Sequence, residues 1–226
     1  IEGNYELLFS KIDGTFPNHH PDPSDPQNLI FCKKKLLDLK YNVGFAFDGD
    51  GDRLGVIDDK GRIVSGDKLL LLLAKEMLKS KKCKVIADVK CSQVLFEEVE
   101  RLGGKIFMSK TGHSHIKNNL KKLNADLAGE MSGHIFFAQD YYGFDDAFFA
   151  AVKVLEILNN NDKKLSDLVD EIPRVFNTPE IRIDCDDNKK FDIVNKITKI
   201  QKKGKKKLTN IDGVRVVEKD GWWLLR

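Results

Sequence analysis

The sequence predicts an α/β protein. We expect mixed, mostly parallel sheets flanked by helices in its first two domains, followed by a truncated α+β domain. From residue 66 onward, short apolar runs alternate with amphipathic segments of helical length. Near residue 174 this alternation gives way to short strands around a lysine-rich helix. We therefore divide the chain into domains at residues 1–64, 65–173 and 174–226.

The first domain begins with a stretch rich in proline and other turn-forming residues. Asp25 is a good N-cap and Pro26 a good first residue for a helix that would run to about Lys40. Two short apolar strands, 43–47 and 54–57, then enclose a tight acidic loop.

The second domain shows a regular strand and helix rhythm. Asp67 is the expected cap of its first helix, and Ser92 that of the next. Such domains bind ligands at the carboxyl ends of their strands. The predicted strands of this domain and the last one are 84–88, 105–108, 126–128, 135–138, 180–184, 213–217 and 222–225, and the predicted helices of the second domain are 67–79, 92–102, 114–123 and 144–158.

The composition indicates a folded globular protein, because 41% of the residues are hydrophobic and 32% are charged. The longest leucine run, Leu69–Leu73, is far shorter than the ~20 apolar residues of a membrane helix, so no membrane segment is expected. The four cysteines form no CxxC pair, which favours reduced thiols and a cytoplasmic location.

A lysine run between residues 196 and 207 contains no acidic residue. Such a run is compatible with nucleic-acid binding. The apolar spacing of Ile193, Ile197 and Ile200 favours the alternative of a solvated helix end, so we expect no nucleic-acid partner.

The acidic loop is the most informative segment. Asp48, Asp50 and Asp52 alternate with two glycines, and acids packed this closely repel one another unless a cation lies between them. Oxygen-only ligands favour Mg²⁺ or Ca²⁺. A helix–loop–helix calcium site needs glycine at its sixth position, where Arg53 stands, and the flanking apolar strands disfavour a plain solvated turn. Magnesium is the favoured interpretation, with Arg53 balancing charge or contacting a phosphate.

A second polar cluster lies between two predicted strands. Glu130, Ser132 and His134 occupy alternate positions, so in an extended segment they would point to one side and could hydrogen-bond sugar hydroxyls. An ordinary polar hairpin turn is the alternative.

Two further clusters follow strand ends. Lys90 stands beside a helix start, where a partly desolvated lysine can transfer protons, although a surface lysine in a turn is the simpler interpretation. Lys110 and His113 open the next helix, whose free backbone N–H groups suit a phosphate. A buried structural histidine is the alternative for His113.

The segments FDGDGDR (47–53) and GEMSGH (129–134), in this order, resemble the metal-binding and sugar-binding loops of the α-D-phosphohexomutase family, in its phosphomannomutase/phosphoglucomutase branch. The resemblance implies that Asp48, Asp50 and Asp52 hold Mg²⁺ together with a phosphate on an active-site serine. Met131 fits this branch, whereas the phosphoglucosamine branch usually has glutamine there.

The resemblance also implies roles for the other clusters. Glu130 and Ser132 would bind the C3 and C4 hydroxyls of a hexose, with His134 nearby, and Lys90 would act as general base. Lys110 and His113 would face the sugar phosphate, and Arg226 would begin a phosphate-binding loop.

The implied reaction is an intramolecular phosphotransfer that interconverts glucose or mannose 1- and 6-phosphates through a phosphoserine and a hexose 1,6-bisphosphate. The sequence has no serine loop of the Thr-Ala-Ser-His-Asn-Pro type, and Arg226 is all that remains of the phosphate loop. We therefore expect a fragment without mutase activity of its own. Phosphoglucosamine mutase and a non-catalytic module that binds metal or sugar phosphate remain the alternatives.

Overall fold

The acidic loop belongs to a three-stranded antiparallel sheet. Strand β1 (Val43–Phe47) pairs with β2 (Leu54–Asp58), which pairs with β3 (Ile63–Val64). The loops between these strands are too short for the crossover that a parallel pair needs, so the chain reverses direction at each one. The computed structural model on which this description rests describes residues 3–139, 141–204 and 206–226.

The helix before this sheet begins as predicted. Asp25 Oδ1 accepts a hydrogen bond from the backbone N–H of Gln27 at 2.9 Å, which caps a 3-10 turn over Pro26–Leu29. Helix α1 (Ile30–Leu39) continues from that turn and packs its Leu36 against the sheet.

A four-stranded mixed sheet forms the centre of the molecule, with the order β5-β4-β6-β7. β4 pairs in parallel with both β5 and β6, whereas β6 and β7 are antiparallel. The expected α/β fold with mixed sheets flanked by helices is confirmed. The strands are β4 (Lys84–Asp88), β5 (Lys105–Ser109), β6 (Leu127–Gly129) and β7 (Ile135–Phe137), and the helices are α2 (Gly66–Ser80), α3 (Gln93–Arg101), α4 (His113–Leu123), α5 (Ala147–Asn159) and α6 (Leu165–Asp170).

One hydrophobic core joins the two sheets. The leucines of α2 are buried nearly all round the helix, and the same cluster of side chains contains Leu54 and Val56 of β2 and Val154 of α5. Burial of the whole leucine run inside the protein explains its apolar character without a membrane. Within the described ranges, no helix combines the length and apolarity needed to cross a bilayer.

Asp67 is not the cap of α2, contrary to the prediction. Ser65 holds the N-cap position, and Asp67 lies buried in the first turn. Its Oδ1 accepts from Ser65 Oγ at 2.5 Å, and its Oδ2 accepts from the backbone N–H of Ser92 at 3.0 Å. Asp67 therefore joins the starts of α2 and α3. Helix α6 was not predicted, because six residues are too few to show a helical period.

The C-terminal part consists of a long helix and a small antiparallel sheet of order β10-β9-β8. The predicted strand 180–184 is wrong. Ile181 and Ile183 alternate with polar residues, but both are exposed and neither pairs with a strand among the described residues. The lysine run instead leads into β8, which the sequence did not predict. The elements are α7 (Asp187–Lys203), β8 (Lys207–Thr209), β9 (Val214–Val217) and β10 (Trp222–Leu225).

Candidate functional site

The loop between β1 and β2 brings its three acids together, with Asp48 and Asp52 at least partly buried and Asp50 exposed. Asp48 Oδ1 accepts from the backbone N–H groups of Asp52 and Arg53, at 3.0 Å each, and Asp48 Oδ2 accepts from Nε of Arg53 at 2.7 Å. Carboxylate oxygens of Asp48, Asp50 and Asp52 lie within 4.8 Å of one another. Gly51 has a φ of +74°, and a Cβ there would lie 2.9 Å from the ring of Phe148 in α5, so any other residue would be strained and would have to displace that ring.

The electrostatics of this loop fit a divalent cation. Burial, a contact with Asp48 and the charge of the neighbouring acids raise the pKa of Asp52 to about 6. Burial also opposes the ionised form of Asp48, but the hydrogen bonds from Arg53 and Asp52 outweigh it and lower the pKa of Asp48. A donor set of oxygen atoms with excess negative charge is typical of sites for Mg²⁺ or Ca²⁺.

The acidic loop is directly joined to the turn between β6 and β7. Arg53 and His134 form an antiparallel β-bridge, and the backbone N–H of Leu54 donates to the carbonyl of Gly133 at 3.1 Å. Gly133 has a φ of +98°, and a Cβ there would lie 2.6 Å from the Leu54 carbonyl oxygen. This contact therefore depends on glycine, and the two loops form one structural unit.

Residues 130–134 form a tight turn, which is the second of the two alternatives that the sequence left open, and not an extended segment. The backbone N–H of Gly133 donates to the carbonyl of Glu130 at 3.1 Å, and that of Glu130 donates to the carbonyl of His134 at 3.0 Å. Gly133, with its left-handed backbone, closes the turn, so the alternation of an extended segment does not apply to these residues. Ser132 lies half-buried at its tip.

His134 lies between two acids. Its Nδ1 is 3.5 Å from Oδ1 of Asp52 and 3.0 Å from Oδ2 of Asp145. Burial disfavours the charged ring, but Asp145 and the neighbouring acids outweigh it and raise the pKa of His134. The ring of His113, which is exposed at the start of α4, stacks on that of His134 with the centroids 5.9 Å apart.

Asp145 is a site residue that the sequence reasoning missed. The neighbouring Asp146 caps α5, because its Oδ1 accepts from the backbone N–H of Phe149 at 2.8 Å. Asp145 is instead buried between His134 and Lys117, whose Nζ is 2.6 Å from its Oδ1. Burial opposes its ionisation, but these two partners hold the pKa of Asp145 far below its ordinary value.

Glu130 faces the start of α4. Its side chain is buried, and Oε1 accepts from the backbone N–H of Gly112 at 2.5 Å. Burial, and then the charge of Asp88, raise the pKa of Glu130 above its ordinary value. The helix start that was predicted to bind phosphate thus already holds one carboxylate. Lys110 is exposed just before it.

Lys90 follows β4 and is half-buried. Its Nζ is 4.0 Å from Oε2 of Glu180, and its backbone N–H donates to Oδ1 of the buried Asp88 at 3.2 Å. Asp88 Oδ2 accepts from Oγ1 of Thr111 at 3.4 Å, so the loops after β4 and β5 meet.

Arg226 reaches the same place from the C-terminal sheet. Its Nη1 donates to Oγ1 of Thr111 at 3.1 Å, and its Nη2 is 3.4 Å from Oδ2 of Asp212. That carboxylate also accepts from the backbone N–H of Thr111 at 3.2 Å. These contacts link each predicted strand-end loop to another one. Within residues 3–139, 141–204 and 206–226, the side chain of Lys110 forms neither a hydrogen bond nor an ion pair.

Comparison with known families agrees with this arrangement. The model of the phosphoglucomutase/phosphomannomutase alpha/beta/alpha domain II matches residues 5–61, and that of domain III matches residues 65–176. Together the two matches take in most of the chain. The chain belongs to the phosphoglucomutase/phosphomannomutase family. The resemblance to the α-D-phosphohexomutases that the two motifs indicated is thereby confirmed.

Individual relatives in this family are similar over nearly the whole chain. A phosphomannomutase/phosphoglucomutase of Pseudomonas putida is 45% identical over 97% of this chain and 48% of its own length. A phosphoglucomutase of Neisseria gonorrhoeae is 41% identical, with 97% and 48% covered. The solved structure of a phosphoglucomutase/phosphomannomutase family protein from Burkholderia thailandensis superposes with a TM-score of 0.88 at 42% identity, over 96% of this chain and 46% of that one. The chain spans about half the length of the curated relatives it matches.

Proposed function

We propose that this chain supplies the metal-binding and sugar-binding loops of a phosphohexomutase that interconverts hexose 1-phosphates and hexose 6-phosphates. The observation that carries the proposal is the bridge between Arg53 and His134, which fixes the acidic loop beside the Glu130–His134 turn. The relatives named phosphomannomutase/phosphoglucomutase and phosphoglucomutase favour mannose and glucose phosphates as the substrates.

Asp48, Asp50 and Asp52 would hold Mg²⁺. Their oxygen-only donor set, their mutual proximity and the raised pKa of Asp52 support this assignment. When bound, the ion would neutralise charge on the oxygens of the transferred phosphoryl group. Arg53 is held beside the loop by Asp48 and by Asp22, whose Oδ1 is 3.0 Å from Nη1, and adds a fixed positive charge there.

The turn after β6 would bind the sugar. Glu130 uses Oε1 for Gly112, but a carboxylate has lone pairs for further donors, including hydroxyl groups of a hexose. Ser132 at the tip of the turn and His134 beside Asp145 would supply further hydrogen bonds. Neighbouring equatorial hydroxyls are alike from either end of a hexose, so the same groups would serve both orientations of the sugar.

The remaining predicted residues would bind phosphate and move protons. Lys110 and His113 are exposed at the start of α4, where cationic side chains and helix N–H groups favour an anion. Arg226 would add a second phosphate contact from the C-terminal sheet, and Lys90 would take the proton of the attacking hydroxyl.

The phosphoryl group would come from a phosphoserine that this sequence does not contain. It would pass to the free hydroxyl of the hexose monophosphate, giving a bisphosphate and free serine. After the bisphosphate reorients, its other phosphate would return to the serine and leave the isomeric monophosphate. We therefore expect this chain alone not to convert glucose 1-phosphate, and clear turnover by it would contradict this part of the proposal.

Titration calorimetry tests the proposed binding sites. Asp50→Asn should weaken Mg²⁺ binding at least tenfold, because it removes one of three charged ligands. Glu130→Gln and Ser132→Ala should weaken binding of glucose 6-phosphate or mannose 6-phosphate and leave Mg²⁺ binding unchanged. Asp38→Asn, on the exposed surface of α1, is the matched control for loss of one charge.

Three outcomes would count against the proposal. Sugar-phosphate affinity that does not depend on Glu130 or Ser132 would remove the sugar site. A strong preference for Ca²⁺ without any sugar-phosphate binding would favour a non-catalytic metal module. Tighter binding of glucosamine 6-phosphate than of either hexose phosphate would favour the phosphoglucosamine branch.

A further inference from the structure

A buried arginine in the C-terminal sheet holds the loop that carries Lys90. Arg215, in β9, is 2% exposed. Its Nη1 donates to the carbonyl oxygens of Val89 and Cys91, at 2.7 Å each, and its Nη2 is 3.3 Å from Oε1 of Gln93. The two carbonyls belong to the residues on either side of Lys90.

The guanidinium of Arg215 lies against two aromatic rings in the interior of the protein. It stacks on the ring of Trp222 at 3.8 Å and lies 5.4 Å from the centroid of Phe96. Burial lowers the pKa of Arg215 to about 10, so the side chain is still charged at neutral pH. A desolvated cation is costly unless strong acceptors compensate it, and here the two loop carbonyls are the main acceptors.

The loop is held from its other side by Asp88. Oδ1 of that buried carboxylate accepts from the backbone N–H groups of Lys90 and Cys91, at 3.2 Å each. Asp88 thus holds the N–H groups of the loop, and Arg215 holds its carbonyls. Peptide groups fixed at both ends leave the backbone of Lys90 little freedom to move.

We propose that Arg215 is a positioning residue for Lys90, acting through the carbonyls of Val89 and Cys91. The same side chain sets the position of the C-terminal sheet against this loop. β10 of that sheet leads into Arg226, so Arg215 aligns the proposed base with the proposed phosphate ligand. The inference rests on the proposed function in taking Lys90 as the base.

Hydrogen exchange of backbone amides tests the contact itself. Arg215→Gln removes the charge and the paired donors, and it should speed exchange of the amides of residues 90–92 roughly tenfold or more. Arg215→Lys keeps the charge but lacks the planar fork, so it should give an intermediate increase. Arg62→Gln is the matched control, because Arg62 joins Asp58 of β2 to Asp170 of α6 and does not touch the loop.

A second readout separates positioning from a general loss of structure. After reductive methylation with ¹³C-formaldehyde, the NMR signal of dimethyl-Lys90, assigned with Lys90→Ala, should shift in Arg215→Lys and stay in place in Arg62→Gln. If Arg215→Gln fails to fold, both the hydrogen exchange and the NMR signal of dimethyl-Lys90 are measured on Arg215→Lys. Unchanged exchange of residues 90–92 and an unchanged Lys90 signal in Arg215→Lys would overturn the inference.

Calorimetry with glucose 6-phosphate distinguishes a failure of this inference from a failure of the proposed function. If Lys90→Ala and Glu130→Gln both bind glucose 6-phosphate as the parent chain does, the proposed sugar site is wrong, whatever the exchange data show. If those variants bind weakly while residues 90–92 stay protected in the Arg215 variants, the inference alone is wrong.

Discussion

Replacing Asp52 by asparagine should stabilise the chain in the absence of divalent ions. Its pKa is raised from the ordinary 3.8 to about 6, so the folded state disfavours the charged form. The ionised Asp52 therefore lowers the free energy of unfolding. This loss is absent below the unfolded-state pKa of 3.8, grows as the pH rises from there, and is complete above about pH 6. The shift corresponds to about 3 kcal/mol at full strength. The side chain of Asp52 is 24% exposed, and solvent screening reduces the expected gain to about 1–2 kcal/mol.

Urea unfolding followed by circular dichroism, with EDTA present, measures this effect. Asp52→Asn should exceed the parent chain in free energy of unfolding at about pH 8, and the difference should nearly vanish at about pH 4. Asp38→Asn, which removes an exposed acid, should change little at either pH.

Addition of Mg²⁺ should reverse the order. An ion present at 100 times its dissociation constant stabilises the folded state by about 2.7 kcal/mol, and Asp52→Asn should lose most of that gain. If Asp52→Asn were less stable than the parent chain in EDTA at about pH 8, the carboxylates would already be satisfied without a cation. The electrostatic argument for the metal site would then be wrong.

Three further predictions concern the contacts around the site. Gly133→Ala should lower the free energy of unfolding by about 2–4 kcal/mol, through both its positive φ and the contact with the Leu54 carbonyl. Gly103→Ala, with a φ of +85° but open space around it, should cost only about 1 kcal/mol, and equal losses would show that the contact is unimportant. Asp145→Asn should lower the pKa of His134, followed by NMR of the imidazole, and an unchanged pKa would mean that Asp145 does not set its charge. Ellman's reagent should modify the exposed Cys185 quickly. It should modify the buried Cys91, whose pKa is raised by burial and by Asp88, only on unfolding. Cys185→Ser is the control, and rapid labelling of Cys91 would show that the Lys90 loop opens in the native state.

The features that local sequence determines were predicted well. The strands on both sides of the acidic loop follow from short apolar runs, and the closeness of the three acids follows from the tight turn that the alternating glycines allow. Ser92 and Asp25 cap the elements expected of them, because a capping side chain bonds to an N–H group only a few residues away.

Contacts between residues far apart in the chain were not predicted. Asp145 carries no local signal of its role beside the capping Asp146, and only the folded chain shows it against His134 and Lys117. Arg215 carries no local signal either, since its partners lie more than a hundred residues earlier. The predicted strand 180–184 failed for the same reason, because an alternating pattern forms a strand only where a partner edge exists.

The hydrophobic core described above also limits how this protein can be divided. The two family matches meet between residues 61 and 65, yet Leu54 and Val56 on one side share a single core with α2 and α5 on the other. A shortened chain that ended at this point would expose those side chains to water, at a cost of about 1.5–3 kcal/mol for each large one. Because the two segments share this core, we expect pieces made separately to aggregate or to recombine.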